Sequence, residues 1–330
     1  MIVTYYHRRP LKGYYSIEKV FRDIRKALPD EIRYRVAIAK YESCGILKRF
    51  YNCIEAIFRQ GDVNHITGDI HYVSIFLKRK KTVLTIHDCV SLRRLKGLKK
   101  WILYFFWYWL AEKRCKYITT GSESTKKELL EYLKCNPDKI HVIPNPISED
   151  FQYVPFNFNS EKPTILQIGT RPNKNLKKVA EALRGISCRM AIIGSLSQEQ
   201  LRILKEFNID YSSFEDISDK DLFSLYIKSD IVIFVSTYEG FGMPILEAQA
   251  IGRPLITSNV FSMPEVAGEG ACLVDPYNTP NIREALIKII NDSDYRDKLI
   301  INGLKNVERF RPKFIVDRYI ELYNKLARTN

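Results

Sequence analysis

A chain of 330 residues, 45% of them hydrophobic and 27% charged, is too long for one ordinary core and has the composition of a folded protein, not of a disordered or fibrous one. Its seven cysteines are scattered with no CxxC pair, so they read as reduced, mostly buried thiols of a cytoplasmic chain and not as a disulfide scaffold. The net charge of +14 is uneven: residues 1–150 hold 29 Lys and Arg against 16 Asp and Glu, an excess of +13, and the remainder holds 23 against 22, so the first half is the part that should meet an anion.

The N-terminal residues, Met1 to Arg9, have no apolar core behind a basic start and read as no secretion signal. Ser16 caps an expected helix with Ile17, Val20, Phe21, Ile24 and Leu28 on one face, and Pro29 follows its end. A strand at 34–40, a helix at 46–59 and strands at 62–67 and 82–86 come next. A basic aromatic helix spans 99–116; its apolar run, Trp101 to Ala111, is far shorter than the ~20 residues of a spanning helix. A strand at 117–120, a helix at 124–133 and a strand at 140–143 complete the first half. Residues 150–163 are irregular and read as a linker. The alternation then restarts, with strands at 164–168, 189–193, 209–213, 230–235, 255–257 and 271–274. Helices stand between them at 175–183, 198–207, 220–227 and 244–251, and the rest is helical, ending with 313–326. Alternating strands and helices imply an α/β chain with parallel sheets covered on both faces. Two such domains in series place a ligand at the carboxyl ends of the strands.

The sharpest local signal is Ser236-Thr237-Tyr238-Glu239-Gly240-Phe241-Gly242-Met243-Pro244-Ile245-Leu246-Glu247. An apolar strand runs into a glycine-rich turn and then a helix, with Pro244 suited to the first helical turn. Gly240 and Gly242 allow close backbone approach, and the helix N-terminus offers amides to a diphosphate. Glu239 before the turn and Glu247 one turn inside can accept hydrogen bonds from sugar and ribose hydroxyls. Two cations, Arg171 and Lys174, lie on the strand-to-helix loop Gln167-Ile168-Gly169-Thr170-Arg171-Pro172-Asn173-Lys174-Asn175-Leu176, where they suit a diphosphate leaving group. His87 and Asp88 end the strand Val83-Leu84-Thr85-Ile86.

The string from Glu239 to Glu247 resembles the E-x7-E signature of the retaining GT-B glycosyltransferases of family four. The likeness continues through Gly252-Arg253-Pro254-Leu255-Ile256, Met263-Pro264-Glu265-Val266-Ala267-Gly268 and Val274-Asp275-Pro276. It implies a GT-B fold of two doubly wound, Rossmann-like domains with a crevice between them. The expected division is 1–155 on the acceptor side, 156–311 for the nucleotide-sugar, and a final helix at 312–330 returning to the first domain with Phe314, Tyr319, Ile320 and Tyr323. It also implies site roles: catalytic His87, Glu239, Lys174 and Arg171; donor contacts from Gly13, Gly240, Phe241, Gly242, Met243, Pro244 and Glu247; acceptor-side Asp88 and His65. The loop Lys12-Gly13-Tyr14-Tyr15 has one glycine where many members have two, and the arginine spacing around Arg171 is shifted.

Asp292-Ser293-Asp294 looks like a metal-binding DxD motif, but it sits between helices and caps the next one, so no metal and no cofactor are expected. A nicotinamide enzyme lacks its GxGxxG here. A basic nucleic-acid-binding protein leaves the carboxylate pair without a purpose, and a non-catalytic sugar-nucleotide binder is opposed by intact Glu239, Glu247 and Lys174. The expectation is therefore a retaining, metal-independent transferase that takes a UDP- or GDP-sugar and serves a polysaccharide or lipid-linked acceptor of the cell envelope. It binds no nucleic acid. Its basic first half, with Lys78-Arg79-Lys80-Lys81 and the 101–110 aromatic run, is expected to lie on an anionic membrane surface.

Overall fold

The computed structural model describes residues 1–10 and 16–328. Gly13 falls outside the described residues. Two compact units are present, one formed by Met1–Ser148 with Arg311–Asn330, the other by Glu149–Phe310.

The inner strands of the first unit are short runs rich in β-branched side chains, which suit a strand buried on both faces. Its elements are β1 (Ile2–His7), α1 (Ser16–Lys26), β2 (Arg33–Ile38), α2 (Ile46–Ile57), β3 (Val63–Ile66), β4 (Thr82–Thr85), α3 (Val90–Arg94), α4 (Gly97–Leu103), α5 (Leu110–Arg114), β5 (Tyr117–Thr120), α6 (Glu123–Leu133) and β6 (Ile140–Val142). The strands form one parallel sheet in the order β2-β1-β3-β4-β5-β6. β3 and β4 are buried throughout, whereas edge strand β2 is exposed at all positions but Ala37. Strand β1 is an addition to the elements expected from sequence. The aromatic helix expected over 99–116 is three pieces instead. Between α4 and α5 the backbone widens into a π-helical turn, Tyr104–Trp109, which spreads six successive aromatic rings. Among the described residues no helix is long and apolar enough to cross a membrane.

The second unit contains β7 (Thr164–Ile168), α7 (Leu176–Leu183), β8 (Arg189–Ile193), α8 (Gln198–Glu206), β9 (Tyr211–Phe214), α9 (Asp219–Ile227), β10 (Ile231–Phe234), α10 (Met243–Ile251), β11 (Leu255–Ser258), α11 (Met263–Ala267), β12 (Cys272–Val274), α12 (Thr279–Asn291) and α13 (Ser293–Val307). Its parallel sheet has the order β12-β11-β10-β7-β8-β9. The winding reverses between β7 and β10, which are neighbours at its centre. Capping boxes open α8, through Ser197 and Gln200, and α9, through Ser218 and Asp221. Asp292 caps α13 by accepting from the Tyr295 amide at 2.9 Å, so the acidic triplet is a helix start.

The boundary between the units falls after Ser148, seven residues before the boundary at 155 expected from sequence. Residues 149–156 are fastened to the second unit. The Val154 amide donates to the Ile251 carbonyl at 3.2 Å, and the Arg253 guanidinium donates to the Val154 carbonyl at 2.8 Å while lying 4.0 Å from the Phe156 ring. The last helix, α14 (Pro312–Ala327), belongs to the first unit and buries Ile315, Val316, Tyr319, Leu322, Tyr323 and Leu326. Phe314, expected on its inward face, is exposed, because this phase of the helix turns it outward.

Helix α14 meets the sheet through His65. The imidazole lies 2.6 Å from the Tyr323 hydroxyl through Nδ1 and 2.8 Å from the Thr85 hydroxyl through Nε2, and Tyr323 donates onward to Tyr5 at 3.1 Å. A neutral ring protonated at Nδ1 satisfies this chain. His65 has no exposed surface, which removes it from the acceptor side where the sequence placed it. Burial holds its pKa well below the ordinary value. Burial likewise lowers His7 to about 3, helped by the charges of Arg25 and Arg8, and His71 to about 4.

These three histidines are neutral in the folded chain and bind protons below about pH 6.5 once unfolded. The unfolded state therefore gains protons first as pH falls, and stability present above that pH is lost toward pH 4, by on the order of 1.4 kcal/mol per histidine per pH unit. All three tryptophans, Trp101, Trp107 and Trp109, lie in this unit, so their fluorescence follows its unfolding alone. The urea midpoint should drop clearly between pH 7.5 and pH 5; equal midpoints would contradict the buried neutral state.

Candidate functional site

At the winding reversal of the second sheet, two loops leave the carboxyl ends of neighbouring strands, the place where doubly wound sheets hold ligands. The loop after β7 turns at Gly169, whose φ of 88° and close contact with the Lys174 stem leave no room for a Cβ, which would lie 2.9 Å from Lys174 Cγ. It continues through the 3-10 turn Pro172–Lys174 into α7. The loop after β10 turns at Gly242, whose φ of 107° opens α10 with Pro244 in its first turn.

The two loops are joined to each other. The Thr237 amide donates to the Asn173 carbonyl at 2.8 Å, and the Asn173 side-chain amide donates to the Tyr238 carbonyl at 3.1 Å and to Glu239 Oε1 at 3.2 Å. Lys174 Nζ donates to the same Glu239 oxygen at 2.5 Å and lies 4.5 Å from the centre of the buried Phe234 ring. The Ser262 hydroxyl reaches the Glu239 and Phe241 carbonyls at 3.0 and 2.9 Å and holds the turn from a third loop. One turn into α10, Glu247 Oε2 accepts from the Tyr226 hydroxyl at 2.6 Å. Burial, reinforced by the Glu247 charge, keeps that phenol well above its ordinary pKa, so it stays a donor. Beneath the β7 loop, the buried Gln167 amide donates to the Lys174 carbonyl at 3.0 Å and the Gly169 carbonyl at 3.3 Å, closing the loop end to end.

The arrangement offers a cation, two anchored carboxylates and a helix N-terminus, the groups a nucleoside diphosphate attached to a polyhydroxyl moiety requires. In the first unit, half-buried His87 follows β4 and donates from Nε2 to the Thr67 carbonyl at 2.7 Å. The neighbouring Asp88 carboxylate accepts from the Val90 amide at 2.9 Å, where it serves its own turn.

Two family models together match nearly the whole chain. That for glycosyl transferases group 1 matches residues 148–306, and that for glycosyltransferase family 4 matches residues 4–151. The chain belongs to the GT-B glycosyltransferases of group 1.

Among curated relatives, it is 25% identical to the serotype-specific mannosyltransferase WbdA of Escherichia coli, over 91% of this chain and 42% of that protein. It is 28% identical to the O-antigen chain mannosyltransferase B of Escherichia coli, over 64% of this chain and 61% of that protein. The chain thus spans less than two thirds of the length of these relatives. Among solved structures, Anabaena HepE in complex with UDP and glucose superposes with a TM-score of 0.80 at 15% identity, covering 98% of this chain and 99% of that one. WaaG, a glycosyltransferase involved in lipopolysaccharide biosynthesis, does so with a TM-score of 0.72 at 14% identity, covering 98% and 99%. These likenesses establish the GT-B fold.

In this family member, Lys174, Glu239, Gly240, Gly242, Met243, Pro244 and Glu247 gather at the head of one sheet. Arg171 is exposed at the start of the 3-10 turn. The Phe241 ring is buried 5.9 Å from that of Phe310, so its side chain anchors the turn from inside and only its backbone faces outward with the turn's glycines. Sequence reasoning passed over Gln167, Asn173, Tyr226 and Ser262. Gln167 carried a signal, as the one polar side chain inside the apolar strand Thr164–Ile168 that has no place in a core without a hydrogen-bonding task.

Replacing Gln167 by Leu removes that task and leaves two loop carbonyls unpaired, so unfolding free energy should fall by about 1–3 kcal/mol. Gln167→Glu, which faces a carboxylate toward both carbonyls, should cost more. Urea unfolding followed by far-UV circular dichroism measures this, and a Leu variant as stable as the parent would refute the clamp.

Proposed function

We propose that the chain transfers a sugar, with retention of anomeric configuration and without a metal, from a UDP- or GDP-linked donor to a polysaccharide or lipid-linked oligosaccharide acceptor of the cell envelope. The observation that carries this reading is the meeting of Lys174, Glu239 and the start of α10 at the winding reversal, with Glu247 held by Tyr226 one turn along. Lys174, Arg171 and the helix N-terminus take the diphosphate, where negative charge grows as the glycosidic bond breaks. Glu239 takes hydroxyls of the donor sugar and Glu247 those of the ribose. The bond from the anomeric carbon to the phosphate oxygen breaks, that from the anomeric carbon to the acceptor oxygen forms, and the acceptor proton passes to the leaving phosphate. His87 assists at the reacting sugar. The mannosyltransferase relatives make mannosyl donors the first to test, and the +13 of residues 1–150 supports work at the cytoplasmic face of an anionic membrane.

A thermal-shift panel of nucleotide sugars tests the donor. The right one, at about 100 times its dissociation constant, should stabilise the chain by about 2.7 kcal/mol. Glu247→Ala should mainly weaken that binding and Glu239→Ala mainly lower turnover. Turnover should persist in excess EDTA. No shift with any nucleotide sugar would overturn the reading, and activity that EDTA abolishes and Mg²⁺ or Mn²⁺ restores would overturn its metal-free form.

A further inference from the structure

Helix α2 is built with its amphipathic sense reversed. The face it buries is Asn52, Cys53 and Ala56, two of them small and one polar. The face it presents outward carries Ile46 at 82% exposure, Leu47 at 84% and Phe50 at 56%. A helix covering a sheet ordinarily turns its large apolar residues inward, so an outward apolar face needs a partner.

The surroundings of that face are defined by contacts within the first unit. Phe50 meets the exposed Phe76 ring edge-on at 6.2 Å. Just past the end of α2, Gln60 Oε1 accepts from the Lys78 amide at 2.9 Å, which brings the turn Arg79–Lys81, with no buried residue, near the C-terminal end of the helix. On the other flank the Arg49 guanidinium lies 4.6 Å from the Trp107 ring and joins α2 to the π-helical turn. Exposed Trp101 of α4 and Trp109 of the π-helical turn are both stacked on Phe105, at 5.5 and 5.1 Å. Exposed cations stand close to these apolar side chains in the chain: Lys48 beside Leu47, and Lys78, Arg79 and Lys80 shortly after Phe76.

We propose that this outward face of α2, with Phe76 and the basic turn 78–81, is the surface on which the first unit lies on an anionic lipid bilayer, with Leu47 and Phe50 entering the headgroup region. Exposed apolar side chains accompanied by cations match a surface whose outer layer is negative and whose inner layer is hydrocarbon. A second copy of the chain fits poorly there, because it would bring the same excess of positive charge against itself. The proposal gives a place to the membrane contact in the transferase reading and rests on that reading for its purpose alone.

Vesicle co-sedimentation tests it, using phosphatidylcholine vesicles with and without phosphatidylglycerol at low and high salt. The parent chain should pellet only with anionic vesicles and be released by salt. Leu47→Ser combined with Phe50→Ser, both exposed and outside the core, should weaken binding at least about tenfold. Serine at positions 78–81 should do the same. Both variants should keep the donor-induced thermal shift of the parent. A parent chain that ignores anionic vesicles, or a Leu47→Ser/Phe50→Ser variant that pellets like the parent, would overturn the proposal. So would a concentration-dependent dimer that this variant dissolves, which would assign the face to a second copy. A parent chain that responds to donor but binds no anionic vesicle sinks this surface alone, whereas a parent chain that binds vesicles without any donor response sinks the transferase reading alone.

Discussion

A lysine and a glutamate from separate loops meet 2.5 Å apart at the head of the second sheet, and the neighbourhood is arranged around them. They can meet because β7 and β10 lie side by side where the sheet changes its direction of winding. Lys174 is held by its stem against Gly169, by its carbonyl through Gln167, and by its ammonium over the Phe234 ring. Glu239 is held by Asn173 from one side and through its carbonyl by Ser262 from another. Both side chains are less than one-fifth exposed. An ion pair so placed returns little net stability, because partial desolvation of both charges offsets their attraction. What it fixes is position: each group stays aimed and close to a helix N-terminus.

That placement depends on polar groups set into an apolar frame and hydrogen-bonded there to backbone carbonyls. Arg253 is the largest. Its buried guanidinium donates to the carbonyls of Val154, Ile227, Ser229 and Ile251, which ties the segment after Ser148, the end of α9 and the end of α10 together. Burial draws its pKa down to about 10, against the opposing pull of the Asp230 carboxylate. Buried networks of this kind specify one arrangement when every donor has an acceptor. The frame that keeps α10 in line with β10 is therefore the same one that attaches residues 149–156 to the second unit.

The elements that carry the site were readable because their chemistry is local. Gly242, Pro244 and Glu247 follow one strand within thirteen residues, and the spacing alone announces a turn, a helix start and a carboxylate one turn inside. What escaped is long-range. His65 looks like a site residue in a list of polar groups near strand ends, but its partner Tyr323 stands 258 positions away on α14. The end of the linker was invisible for the same reason, since Arg253 reaches Val154 across 99 positions. Strand β1 hid behind the polar tips of Tyr5, Tyr6 and His7, all of which are buried. Phe241 sits inside a glycine-rich motif, and only the packing of Phe310 explains its ring. The reversed face of α2 follows from what its inner side touches, which no helical periodicity records.

A double-mutant cycle on Lys174 and Glu239 tests most directly whether these two groups act as one unit in transfer. Lys174→Met, Glu239→Gln and the double variant are compared by kcat/KM with the nucleotide sugar found by thermal shift. Lys174→Met should lose about 2–4 kcal/mol of transition-state stabilisation. The double variant should be little worse than the poorer single one, a coupling of at least about 1 kcal/mol. Losses that add within about 0.3 kcal/mol would show two independent side chains and contradict the account.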